Sequence, residues 1–130
     1  MAFQLKPTTT EPAIRIVMMP RDTNGQGTIF GGVILSLIDQ AAYVEAYRQR
    51  DARYVTVAMR EVEFKHPVFV GDVLSLYSRV VRAGRSSITI RVRVCTWRKP
   101  DADTMIDVTE AEVVLVAVDE DGNPIQVFAA

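Results

Sequence analysis

Two groups in this chain have the types and spacing to act on a carbonyl: the glycine pair Gly31-Gly32 and the carboxylate of Asp39. The pair closes a polar loop, Pro20-Arg21-Asp22-Thr23-Asn24-Gly25-Gln26-Gly27-Thr28-Ile29-Phe30, and opens an apolar helical pattern. Glycine lets a ligand approach the backbone closely. The first turn of a helix carries free N–H groups and the positive end of a dipole. Such an end holds an anion, or an oxygen that becomes one as a reaction proceeds. Asp39 lies in the middle of the apolar pattern, where a carboxylate is costly unless it is paired or used. It can act as general base on a water or attack a carbonyl carbon itself. Asn24 can orient that water or Asp39 through its amide, and Thr56 can do the same from a neighbouring chain.

Each of these residues also has a plainer reading. Gly31-Gly32 suits a tight helix entry, Asn24 a turn and Thr56 a strand. Asp39 can be a buried carboxylate paired with Arg15 or Arg60. The downstream carboxylate favours chemistry over the plain helix entry. Spacing adds a constraint. Gly31 and Asp39 are separated by about 12 Å of helix at ~1.5 Å per residue, too far for both to touch one carbonyl. The site therefore combines the glycine end of one helix with Asp39 of another subunit, which requires at least a dimer with two sites about a two-fold axis.

The elements that must position these groups follow from periodicity. Residues 1–12 are polar and Pro-flanked and read as a flexible arm; residues 13–130 read as a single domain. Ile14 to Met19 is a short strand stopped by Pro20. From Gly31 to about Arg50, Ile34, Leu37, Ile38, Ala41, Ala42, Val44 and Tyr47 follow helical spacing. Nearly the whole circumference of the first three turns is apolar, which predicts a helix wrapped by the rest of the protein. Four strands follow, over 54–64, 73–81, 87–94 and 109–118, with a hairpin about Ala83-Gly84-Arg85 and a looser connection over 100–103. One helix among antiparallel strands is an α+β chain whose sheet curves around the helix.

Composition narrows the chemistry. With 130 residues, 48% hydrophobic and 24% charged, the chain has the make-up of one globular domain. A net charge of −1 gives no bulk attraction to nucleic acid. Cys95 and His66 are the only residues of their types. A disulfide framework, a thiolate metal site or a His-based zinc site cannot be built within the chain. Cys95 reads as a core residue, and His66 before Pro67 as a surface or bulge residue. No apolar run is long enough to span a membrane. Lys6, Pro7 and the threonines after them interrupt any signal-peptide pattern, so the expected compartment is the cytoplasm.

In order and motif the chain resembles the hotdog fold, and within it the YciA-like acyl-CoA thioesterases. The resemblance rests on Met19-Pro20, Asp22-Thr23-Asn24, Gly27, Ile29-Phe30-Gly31-Gly32 and Asp39. It continues through Val55-Thr56-Val57-Ala58, Phe64, Pro67-Val68 and Val70-Gly71-Asp72-Val73. It ends with Gly84, Ser86-Ser87-Ile88, Thr109-Glu110-Ala111 and Val116-Ala117-Val118-Asp119. Val33 stands where relatives often carry a bulky aromatic, and a C-terminal helical extension is absent from the pattern. The resemblance implies a long central helix wrapped by a curved antiparallel sheet of about five to six strands. It implies hydrolysis of fatty acyl-CoA to free acid and CoA, without metal or organic cofactor. Asp39 would act on the thioester and the Gly31-Gly32 N–H groups would hold the oxyanion. It also implies a homodimer or a higher homo-oligomer, a hexameric trimer of dimers among them.

CoA carries phosphates, so its site needs cations. The candidates are Arg60 and Lys65, and the arginine-rich hairpin with Gly84, Arg85, Ser86 and Ser87. Arg79, Arg82, Arg91, Arg93 and Arg98 cluster in the same region and equally suit a solvated face of the sheet or salt bridges between chains. Two other classes remain open: a dehydratase or isomerase acting on an acyl thioester, which would want a histidine near the helix, and a non-catalytic acyl-CoA binding subunit, which would dispense with Asp39.

Overall fold

A computed structural model describes residues 4–128. Strand β1 (Ile14–Val17) leads through a 3-10 turn (Pro20–Asp22) and the polar loop into helix α1 (Gly31–Gln49). Strands β2 (Arg53–Phe64), β3 (Val73–Ala83), β4 (Ser87–Arg98) and β5 (Asp101–Val118) follow. All pair antiparallel in one five-stranded sheet of order β1-β3-β4-β5-β2. This is the sheet-around-helix arrangement the resemblance implies. The connection expected over 100–103 shrinks to a turn at Lys99-Pro100, and β5 begins at Asp101.

The core is the inner face of the sheet against one face of α1. Leu74 and Leu76, then Ile88, Ile90, Val92 and Val94, then Ala111, Val113, Leu115 and Ala117 alternate inward and are buried. They meet Ile34, Leu37, Ile38, Ala41, Ala42 and Ala46 of α1. The alanines let the helix lie close to the sheet, and the Ser78 hydroxyl donates to the Ala41 carbonyl at 2.9 Å. Burial on this scale, at ~25 cal/mol per Å² of apolar surface, is what holds the helix in place.

The expected wrapping of the helix is met on one face. The opposite face of α1 is uncovered: Gly32, Ser36, Gln40, Tyr43, Val44 and Tyr47 are exposed. One five-stranded sheet covers one side of a helix, and the apolar residues on the other side await a different cover. The outer edge of β2 is likewise unpaired, with Val55 and Val57 exposed. Residues 4–12 form neither helix nor strand. They lie against the end of α1: the Lys6 N–H donates to Gln49 Oε1 at 2.7 Å, and Arg48 donates to the Pro7 carbonyl at 2.8 Å. The buried Glu45 carboxylate accepts from Arg48 and Gln49.

The turn into β3 is clamped by a buried ion pair. Asp72 accepts from Arg98 Nη2 at 2.8 Å and from the Phe69 N–H at 3.0 Å. Arg98→Met strands the carboxylate with one remaining donor. We expect a loss of ~2–3 kcal/mol in urea unfolding, since an uncompensated buried charge is the expensive outcome. A midpoint equal to wild type would show that the clamp contributes nothing.

Candidate functional site

Asp39 projects from the middle of α1 on the border between its covered and uncovered faces and is half-buried. The Thr56 hydroxyl donates to Asp39 Oδ1 at 2.6 Å. Thr56 reaches the helix because it follows Tyr54 on the inner face, and β2 changes phase just after it. Tyr54 and Thr56 pair with Ala117 and Leu115 on the inner face, Val57 has no partner, and Met59 resumes the inner face opposite Val113. A bulge of this kind re-aims side chains next to a site. The contact is within one chain, which corrects the expectation that Thr56 acts from a neighbouring chain.

The ion-pair alternative for Asp39 is overturned by where the arginines go. Arg15 donates to the Ser75 and Tyr77 hydroxyls and lies 4.3 Å over the Trp97 ring. Arg60 pairs with Glu112 at 3.8 Å on the outer face. Among the described residues, Thr56 is the only hydrogen-bond partner of Asp39. A carboxylate with one neutral donor keeps its second oxygen open to accept a proton from water or to attack a carbon.

The glycine end of α1 is the other half. Phe30 caps the helix without a side-chain bond. The Gly31 and Gly32 N–H groups have no acceptor among the described residues. A side chain at Gly31 would meet the Phe64 ring at 3.5 Å, and one at Gly32 would enter open space. A cavity of about 240 Å³ opens here, lined by Gly31, Phe64, Lys65 and His66 among others. Asn24 is committed to the loop: its Nδ2 donates to Thr28 Oγ1 at 2.7 Å and its Oδ1 accepts from the Gln26 N–H at 2.8 Å. It does not hydrogen bond to Asp39. Gly25 and Gly27, at φ +84° and +92°, supply the left-handed turns that fold this loop.

The residues expected to hold CoA fall into two separate places within one chain. Gly84, Arg85, Ser86 and Ser87 form the β3–β4 hairpin, at the end of the sheet that holds Val55 and Thr56. The Ser87 hydroxyl presses on Gly84, where a side chain would sit 2.7 Å from it. Arg85 donates to Gln126 at 3.1 Å. Arg60 and Lys65 lie toward the far end of β2, and Lys65 pairs with Glu110 at 3.4 Å. The wider arginine cluster is largely neutralised. Arg91 pairs with Glu61, Glu110 and Glu112, Arg93 with Asp107, and Arg98 with Asp72. The Arg91 guanidinium holds the Glu110 carboxyl below the usual range.

Three further residues complete the picture. His66 is exposed and its Nδ1 lies 2.9 Å from the Asp107 carbonyl oxygen. Its position beside Gly31 was not legible from its neighbours in sequence. Burial, with a hydrogen bond to Asp107, pushes the Cys95 thiol up to about 11, and burial pushes the Tyr54 hydroxyl up to about 12. Both neutral forms are favoured by folding, so their stabilisation is present below the unfolded values, near 9 and 10, and is lost as pH rises toward 11 and 12. We expect the melting temperature to fall from about pH 9 upward, and iodoacetamide at pH 8 to label Cys95 only in denaturant. Rapid labelling of the native protein would contradict this. Among the described residues no group of His, Cys, Asp and Glu forms a metal cluster, and no helix is long and apolar enough to cross a membrane.

A sequence profile of the thioesterase superfamily matches residues 26–98, more than half of the chain and both halves of the site. The chain belongs to the thioesterase superfamily. Among superfamily members, an uncharacterized acyl-CoA thioester hydrolase of Zymomonas mobilis is 45% identical over 118 residues, spanning 90% of this chain and 78% of its own. The acyl-CoA thioester hydrolase YciA of Salmonella typhimurium is 41% identical over 118 residues, spanning 88% and 87%. A hexameric hotdog fold thioesterase of Campylobacter jejuni superposes with a TM-score of 0.84 at 44% identity over 90% of each chain. The helix and five-stranded sheet of this thioesterase superfamily chain are thus a hotdog fold.

Proposed function

We propose that this protein hydrolyses acyl-CoA thioesters to free acid and CoA in a homo-oligomer whose sites are shared between two chains. The observation that carries the reading is the split site: acceptorless Gly31 and Gly32 N–H groups at one point, the Asp39–Thr56 pair at another. The thioester hydrolase names of its relatives and the hexameric assembly of its structural neighbours agree with it.

A second copy docked antiparallel along the free β2 edge would bring the Gly31 end of one chain to the Asp39 of the other. The same pairing would join Lys65 of one chain to the Gly84–Ser87 hairpin of the other, which no single chain does. The thioester oxygen then accepts from the glycine N–H groups. Asp39, held by Thr56, takes a proton from water as the water oxygen bonds to the carbonyl carbon. The C–S bond breaks, and the CoA thiolate leaves with that proton. In the nucleophilic route Asp39 attacks the carbon directly and the C–S bond breaks to release the CoA thiolate; water then hydrolyses the anhydride to the free acid and Asp39, and supplies the proton taken up by the thiolate. Both routes use the same residues. The proposed site of action is the cytoplasm.

The test is thiol release from a panel of acyl-CoAs, followed with a thiol-reactive dye. Release at the rate of a buffer blank across the panel would overturn the proposal. A dehydratase reading draws on His66 beside Gly31; it predicts change in an unsaturated or hydroxylated acyl group without release of thiol.

A further inference from the structure

Helix α1 starts without a side-chain cap, so the chain before it must hold the Gly31 and Gly32 N–H groups in place. Two backbone hydrogen bonds do so. The Ile29 N–H donates to the Val68 carbonyl at 2.8 Å, and the Phe30 N–H donates to the Asp22 carbonyl at 3.0 Å. We propose that the Arg98–Asp72 pair is the positioning device behind both, setting where the glycine N–H groups point without touching substrate. The inference rests on the thioesterase reading above and adds two positioning residues to its oxyanion site.

Segment 67–72 receives the first of these bonds, and Arg98, at the end of β4, grips it at both ends. Its Nη2 donates to the Pro67 carbonyl at 2.9 Å and to Asp72 Oδ2 at 2.8 Å, and its Nε donates to Asp72 Oδ1 at 3.1 Å. The guanidinium also lies 4.8 Å over the Phe69 ring. Asp72 closes the turn from within: Oδ2 accepts from the Phe69 N–H, and its own N–H donates to the Phe69 carbonyl at 3.1 Å. The Val68 carbonyl that receives Ile29 sits inside this frame, and Thr28 pairs with Phe69 beside it. The buried Val68 side chain fixes the segment at one point. One point leaves rotation free, and the grip on Pro67 and Asp72 removes it. The second bond traces to the same residue. The Asp72 carbonyl accepts from the Met18 N–H at 2.9 Å, and the next N–H, of Met19, donates to Asp22 Oδ2 at 3.0 Å. Asp22 in turn holds Phe30. The helix entry is thus tied to the sheet through one ion pair. Oxyanion donors work only when aimed at the developing charge, and a displacement of ~1 Å from a remote change costs up to ~10²-fold.

The test is kcat and KM, for the acyl-CoA that wild type cleaves fastest, in wild type, Arg98→Met, Arg98→Lys, Gly31→Pro and the double variant Arg98→Met/Gly31→Pro. Circular dichroism at the assay temperature establishes that each is folded. Arg98→Met lowers kcat by at least ~10-fold and leaves KM within ~3-fold of wild type. Arg98→Lys, a cation without the planar fork, falls between the two. In the Gly31→Pro background one of the donors that Arg98 places is already gone, and Arg98→Met lowers kcat by only ~3-fold or less. A fold that is merely loosened would lose the same factor in both backgrounds. Equal factors, or wild-type kcat in folded Arg98→Met, overturn the positioning role and leave hydrolysis intact. If Arg98→Met does not hold its fold, Arg98→Lys is read by the same two criteria, alone and with Gly31→Pro. Absence of thiol release from every acyl-CoA by wild type overturns the hydrolase reading and this one with it.

Discussion

Asp39→Ala should lower kcat for acyl-CoA hydrolysis by ~10²–10⁴-fold, the range lost with a general base, and by more if Asp39 is the nucleophile. The fold should survive, because Asp39 is half-buried and its only hydrogen bond among the described residues is to Thr56. Circular dichroism and the urea midpoint check that point. Thr56→Val keeps the β-branched shape of the strand and removes the hydroxyl. It should cost far less, since in the proposed mechanism Thr56 only orients the carboxylate it donates to. Near-wild-type turnover by folded Asp39→Ala protein would remove Asp39 from the mechanism.

Gly31→Pro is the sharper probe of the other half. Proline at the first helical position is tolerated because its missing N–H had no helical acceptor. Phe30, at φ −55° and ψ 134°, already holds the extended conformation that a residue before proline requires. A Cβ at this position meets the Phe64 ring at 3.5 Å, an ordinary contact. In the proposed mechanism this deletes one oxyanion donor from an otherwise intact helix, and kcat should fall by ~10²–10³-fold. Mixing this variant with Asp39→Ala then tests the sharing of sites. In a mixed dimer one site has both defects and the other has none. Random reassortment should therefore restore about a quarter of wild-type activity from two nearly inactive preparations. Recovery should follow subunit exchange and be absent when the proteins are mixed without it. No recovery after proven exchange would place Gly31 and Asp39 of one chain in the same site.

The fold was legible wherever periodicity was clean. The alternation of Ile88, Ile90, Val92 and Val94 marked β4, and the helical spacing after Gly31 marked α1 to within a residue of its observed end. Two things were hidden for physical reasons. Apolar residues all round a helix say that it will be covered, not by whom. Tyr43, Val44 and Tyr47 look like core in sequence, yet they lie outside the monomer's own packing. The extra residue at Val57 also breaks the two-residue period of β2. Strict alternation from Thr56 would have placed Arg60 on its face; the bulge sends Arg60 to the outer face, where it pairs with Glu112. In the site, Asp39 and the glycine pair stood out by residue type alone. The partnership of Thr56 with Asp39 inside one chain, and the separation of Lys65 from the hairpin, depend on sheet register, which spacing does not encode.

The irregular edge of β2 also bears on the time before a chain has found a second copy. An exposed strand edge is a template on which any extended polypeptide can grow, and long flat apolar edges seed aggregation. Here the regular ladder is cut into Arg53–Thr56, Ala58–Arg60 and Glu63–Phe64 by two interruptions, the second carrying Glu61 at φ +55°. Each break adds local twist and leaves too short a run for a stray strand to register against. A chain on its own can therefore leave this edge open with less risk of recruiting stray strands than a long, flat apolar edge would carry.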